Sequence, residues 1–189
     1  LLFLLAACEN RKKPKRAGFA DETFSETLRR TISTADSFDK NAILPVSASL
    51  RYTYQMTEYQ PIWVKENYVP VTSAAKLIEE LEDMRWDGFD SERYNIAAIK
   101  RLKQKLDTTK KNSIADAIAF DTALTHSYLS AARDLLIGYI KPKSVDSLWF
   151  HSNDSAWNAP HQLADSTAAY HPLSDFRSKV PAYSLLRDE

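Results

Sequence analysis

Few residues in this chain could carry chemistry, and the first of them is Asp121. It falls on the apolar side of Ile114 to Pro142, IADAIAFDTALTHSYLSAARDLLIGYIKP, where an unpaired charge is expensive. A carboxyl in such a place either works as a general acid with a raised pKa or is tied down by hydrogen bonds. Thr125 one helical turn on, a Tyr hydroxyl, a Trp indole or an Arg from another helix could supply the donors. Nothing in the spacing fixes a second acid or a nucleophile beside it. Asp121 and Thr125 therefore read as a structural polar clasp, and no catalytic residue is assigned.

The four histidines invite a metal reading, since His151, His161 and His171 stand ten residues apart. Ten residues is not the repeat of one helix face, and turn formers separate them. HxxxH, HExxH and CxxC are all absent, so no metal site is expected. With three glycines and neither GxGxxG nor GxxxxGK[ST], no phosphate-cradling loop and no cofactor is expected either. Four Trp and nine Tyr could stack on sugar rings. Trp63, Trp86 and Trp149 each adjoin an apolar run and read as core, whereas Trp157, within SNDSAWNAP, is the surface candidate for a glycan contact.

Cys8 is the one cysteine, which excludes an intrachain disulfide and a zinc cluster. No His lies near it in sequence to act as a base. It follows LLFLLAA, the apolar and small-residue end of a secretory signal, and Leu5-Ala6-Ala7-Cys8 resembles the lipobox of bacterial lipoproteins. Lipidation of Cys8 is the expectation, with a lipid bilayer as partner; each buried CH₂ contributes about 0.8 kcal/mol. The 25 basic and 25 acidic residues cancel. That balance gives no net field for nucleic acid.

These residues need elements to position them. Ile114, Ala117, Ile118, Asp121, Leu124, Thr125, Tyr128, Ala132, Leu135 and Leu136 recur at three- and four-residue steps, the period of a helix face. Asn112 or Ser113 can cap its start, Gly138 can end it, and Pro142 prevents its resumption. About 24 residues of helix would run about 36 Å, the width of a small domain. Ser73 to Trp86 reads as a second helix, with Ser73 as N-cap and Gly88 beyond its end. Asn95 caps a third over Ile96 to Leu106. Asp21 to Ile32 carries Phe24, Leu28 and Ile32 at i, i+4 and i+8, a short amphipathic helix or docking segment. Leu50 to Val64, rich in Tyr, Trp and Val, suits a short extended element. Pro160 to Ala169 and Leu173 to Lys179 read as short helices.

The expected fold is mainly α, a multi-helix scaffold domain around one long central helix with at most a short strand element. Residues 1–8 read as the remnant of a lipoprotein signal. Residues 9–49 read as a tether and linker with one short helix, and 50–189 as the helical scaffold domain, incomplete at its C-terminus.

Several residues together resemble a known family. They are Tyr59-Gln60-Pro61-Ile62-Trp63, Leu77 and Leu81, Asp87-Gly88-Phe89-Asp90 with Tyr94, Asp121 with Leu124-Thr125, Asp134-Leu135 with Gly138 and Pro142, and finally Pro181, Tyr183 and Leu186. In order and spacing they resemble the N-terminal scaffold domain of the large YcbB-like L,D-transpeptidases. Phe89, Ser91 and Tyr139 depart from the more usual Leu, Pro and Arg. The resemblance implies a periplasmic enzyme whose separate YkuD domain attacks a peptidoglycan stem peptide with a Cys thiolate and passes it to a neighbouring amine. Nothing here matches the S-x-G-C-x-R motif of that domain, and Cys8 is not its counterpart.

The expected function is the non-catalytic scaffold segment of a membrane-anchored peptidoglycan L,D-transpeptidase, a lipoprotein on the periplasmic side of a bacterial membrane. Its expected partners are peptidoglycan and the peptidoglycan-binding and catalytic domains of the parent protein. The alternative is a stand-alone lipoprotein module that binds peptidoglycan or a partner protein.

Overall fold

The computed structural model describes residues 21–34, 48–138, 159–165 and 170–187. Helices dominate them: α1 (Glu22–Thr34), α2 (Ala48–Met56), α3 (Thr72–Glu82), α4 (Ile96–Thr108), α5 (Ile114–Ile137), α6 (Ala159–Asp165) and α7 (Pro181–Arg187). The described residues hold one two-stranded antiparallel sheet, β1 (Val64–Lys65) and β2 (Val69–Pro70), with Val64 opposite Pro70. The fold is therefore mainly α with a minimal strand element.

The central helix α5 is framed by its own sequence. Ser113 Oγ accepts from the N–H groups of Ala115 and Asp116 at 3.2 and 3.4 Å, satisfying orphan donors of the first turn. At the other end Gly138 adopts φ +89°, and its N–H donates to the Asp134 carbonyl at 3.0 Å. A side chain there would be strained, so glycine suits the stop. Pro142 lies outside the described residues.

Burial on α5 is wider than the single stripe expected from the spacing. Phe120, Ala123, Ser127, Leu129 and Ala131 are buried in addition to Ala117, Ile118, Leu124 and Tyr128. The reason is its position, since α1, α2, α3, α4 and α6 all pack on it. A helix enclosed on most sides is apolar on most sides.

Three local expectations are corrected. Leu50 to Met56 is helical, because Leu50, Thr53 and Tyr54 fall at i, i+3 and i+4 and bury against the core; tertiary burial overrides the strand preference of Tyr and Thr. Ser73 is not an N-cap: α3 begins at Thr72 after Val71, which makes no side-chain cap. Trp86 is not core but 52% exposed. The α-helix gives way to a 3₁₀ turn over Asp83–Asp87. At three residues per turn, Met84 and the Asp87 side chain face inward while Trp86 points out, with the Arg85 guanidinium 4.8 Å from its ring centroid.

Within the stretch expected to tether, α1 docks on the core. Phe24, Leu28 and Ile32 are all buried. Asp21 Oδ1 accepts from the Phe24 N–H at 2.9 Å, its Oδ2 accepts from the Tyr68 hydroxyl at 2.9 Å, and Arg51 Nη1 donates to the Ile32 carbonyl at 2.7 Å. Both ends of the helix are thus pinned.

Candidate functional site

The turn between α2 and β1 builds the surroundings of Asp121. After α2, Glu58 and Tyr59 take left-handed φ of 55° and 60°, and the Tyr59 N–H reaches back to the Tyr54 carbonyl at 2.7 Å. Two such non-glycine residues cost about 1–2 kcal/mol each. Pro61 has no N–H to give, and the two N–H groups that follow it are aimed at α5 instead of at a strand partner.

Those two groups end on the Asp121 carboxylate. Ile62 N–H donates to Oδ2 at 2.9 Å and Trp63 N–H to the same oxygen at 2.6 Å, while the Tyr54 hydroxyl donates to Oδ1 at 2.6 Å. Thr125 Oγ1 does not bond the carboxylate. It donates to the Asp121 carbonyl at 2.8 Å, accepts from the Trp63 indole N–H at 2.9 Å, and lies 3.0 Å from the Tyr54 hydroxyl. Asp121, Thr125, Tyr54 and Trp63 thus form one network, with Asp121 0% exposed. The sequence offers four donors for the acid: Thr125, a Tyr hydroxyl, a Trp indole and an Arg. Of these the Tyr54 hydroxyl reaches the carboxylate, the Trp63 indole reaches Thr125, and Thr125 bonds the Asp121 main chain; two backbone N–H groups complete the set.

A second acid of α5 is held in the same manner. Asp134 Oδ2 accepts from the Tyr94 hydroxyl at 3.0 Å and from Arg93 at 3.3 Å, and Ser127 Oγ donates to the Tyr94 carbonyl at 2.7 Å. The Tyr94 phenol is pushed up by burial and then by the Asp134 charge. Thirteen residues of helix separate the two acids by about 20 Å. That is too far for a general acid and base to share a substrate bond.

Two further acids tie the later segments to α3 and its 3₁₀ turn. Glu80 accepts from the Tyr170 hydroxyl at 2.9 Å and the Leu173 N–H at 2.7 Å. Tyr170 in turn packs edge-on against Trp63 and Tyr128, with centroids at 5.5 and 5.9 Å. Asp87, with a side chain 0% exposed, accepts from Arg177 Nε and Nη2 at 2.8 Å each, from the Tyr183 hydroxyl at 2.6 Å and from Arg187 Nε at 3.0 Å.

Burial alone would raise the Asp87 carboxyl. Hydrogen bonds from Arg177 and Tyr183, then the charges of Arg177 and Arg187, outweigh it and hold the group below its ordinary value of 3.8. A carboxyl with a depressed folded-state pKa contributes stability that is fully present above its unfolded value and is lost as pH falls through the folded one. Wild-type protein is accordingly expected to lose urea resistance as pH drops below about 4, and Asp87→Asn to lose less over the same interval. Equal losses between pH 7 and pH 3 in both proteins would contradict the assignment.

The remaining sequence candidates fall apart in space or lie elsewhere. His126 sits half-buried on α5, pushed down by burial, with Ser130 Oγ 3.5 Å from Nδ1. His171 is at the surface beside Asp175 at 3.4 Å. Among the described residues no group of three or more His, Cys, Asp and Glu could hold a metal ion. Cys8, His151, Trp149 and Trp157 lie outside the described residues, and so does the His161 side chain. Trp63 is wholly buried. Two open grooves of about 460 and 450 Å³ flank α4, both bordered by Glu82 and Lys100, which pair with each other; neither reaches Asp121. What the arrangement does chemically is hold segments together through enclosed acids.

A family model described as "Scaffold domain" matches residues 48–189. No curated protein and no solved structure matches the chain.

Proposed function

The chain belongs to the scaffold-domain family, and from that premise we propose that it is the non-catalytic scaffold segment of a membrane-anchored peptidoglycan L,D-transpeptidase that cross-links the cell wall. One observation carries the reading. The residues by which the sequence resembles the scaffold of those enzymes meet one another as donors and acceptors. Ile62 and Trp63 bond Asp121 and Thr125, Tyr94 bonds Asp134, and Tyr183 bonds Asp87. The motif residues are thus used on structure, as a support would use them, with the Asp87 and Asp121 side chains closed to solvent.

In this reading α5 is the strut, and the Asp121–Thr125 clasp sets how the α2–β1 turn docks on it. Catalysis belongs to a separate domain whose Cys thiolate attacks the stem peptide. Cys8 carries the lipid that holds the protein at the periplasmic side of a bacterial membrane, and peptidoglycan is the partner.

The coding region beyond codon 189 provides the test. A downstream His and S-x-G-C-x-R segment, with L,D-transpeptidase activity in the full-length product, is the expected result. A stop codon within a few codons overturns it, and leaves the binding-module reading to be tested by pull-down on isolated peptidoglycan.

A further inference from the structure

Helix α7 is attached to the domain in a way no other described helix is. It has no buried residue, and Leu185 and Leu186 are 70% and 75% exposed. An amphipathic helix ordinarily docks through its apolar side. This one docks through Tyr183 and Arg187, whose hydroxyl and Nε both reach Oδ1 of Asp87 at 2.6 and 3.0 Å. The segment leading to it is fixed by the same carboxylate through Arg177, in a two-pronged pair at 2.8 Å on each prong. Before Arg177, by contrast, Leu173 and Phe176 are buried in the core.

We propose that Asp87 is a latch and that residues 177–187 form an arm that opens and closes on it as a unit while the helical core stays folded. The physical grounds are the distribution of burial and of bonds. Opening the arm breaks mainly the hydrogen bonds to one carboxylate, with an exposed bond from Lys179 Nζ to the Ser174 carbonyl at 3.2 Å, and exposes little apolar surface, because Leu185 and Leu186 of α7 already face water. Unfolding α5 would instead expose Phe120, Leu124 and Tyr128, all wholly buried. The two events therefore have different free energies and different sensitivities to denaturant. Closed, the latch fixes the direction in which α7 and its Leu185–Leu186 face project from the core. This goes beyond the scaffold reading and does not depend on an attached enzyme.

Native-state hydrogen exchange on the full chain, read residue by residue across low urea concentrations, tests the latch. After correction for intrinsic rates, the amides of Leu185, Leu186 and Arg187 are expected to exchange at least about tenfold faster than those of Leu124 and Tyr128, with little dependence on urea. Asp87→Asn removes the remaining protection of α7, while the α5 amides continue to exchange as one urea-dependent group. Tyr183→Phe with Arg187→Ala, which leaves the Asp87–Arg177 pair in place, lowers α7 protection in the same direction but by less, and covers the case in which Asp87→Asn fails to fold. Equal opening free energies and urea slopes for α5 and α7 in the wild-type protein would overturn the proposal. So would full α7 protection in the variants.

Discussion

Asp121→Ala is expected to lower the stability of this protein by about 4 kcal/mol, because it strands two backbone donors in a closed interior at about 1–3 kcal/mol each and takes the charged acceptor from a third group. The stranded groups are the N–H of Ile62 and the N–H of Trp63, and the third is the Tyr54 hydroxyl, which loses Oδ1 but stays 3.0 Å from Thr125 Oγ1. For a chain of this length such a loss corresponds to a melting point lower by about 10 °C. It is also a large part of the total stability of a typical domain. Asp121→Asn can keep its carbonyl oxygen where the Ile62 and Trp63 N–H groups both point, but turns its amide NH₂ towards the Tyr54 hydroxyl in place of an acceptor, and is expected to cost about 1–3 kcal/mol. Urea denaturation followed by circular dichroism measures both. A midpoint for Asp121→Ala that matches wild type would show that the acid does not hold the turn.

Trp63→Ala is the second large effect, about 4 kcal/mol. The indole is wholly buried. Three losses combine: the apolar area, the edge contact with Tyr170 at 5.5 Å, and the N–H bond to Thr125 at 2.9 Å. Trp63→Phe keeps most of the ring volume and loses the N–H, so a cost near 2 kcal/mol is expected. In thermal unfolding, the Phe variant should melt between wild type and Ala. If it instead melts with the Ala variant, the bond to Thr125 outweighs packing at this site.

These effects explain why some of the molecule could be read in the sequence and some could not. The central helix was legible because its signals are local: Ser113 before it, Gly138 after it, and Leu124 and Tyr128 at helical spacing between. That Asp121 would need donors was legible too, from a charge among apolar neighbours. The Ile62 and Trp63 donors were not, since every residue but proline carries an N–H and only the path of the chain aims it. Pro61 just before them is the one local hint that the segment leaves the strand ladder. Helix α2 was missed because Tyr52, Thr53 and Tyr54 favour strands locally. The spacing of Leu50, Thr53 and Tyr54 was the signal that could have revealed it. Asp87 was visible only as part of a helix-ending motif, because its partners Arg177, Tyr183 and Arg187 lie 90 to 100 residues away. Contacts so distant leave no periodic trace.

Taken together, Asp121, Asp134, Glu80 and Asp87 each gather donors from distant segments. Breaking such a buried arrangement from one side costs more than the arrangement contributes net, because the partners remain buried without an acceptor. That asymmetry fixes the way neighbouring segments dock and suits a support whose shape must persist. It also separates a clasp from an acid held in reserve for catalysis.

A double-mutant cycle with Asp121→Asn and Tyr54→Phe, measured by urea denaturation, tests the clasp most directly. A direct bond at 2.6 Å predicts a coupling of about 1–2 kcal/mol. Additivity within about 0.5 kcal/mol would contradict it.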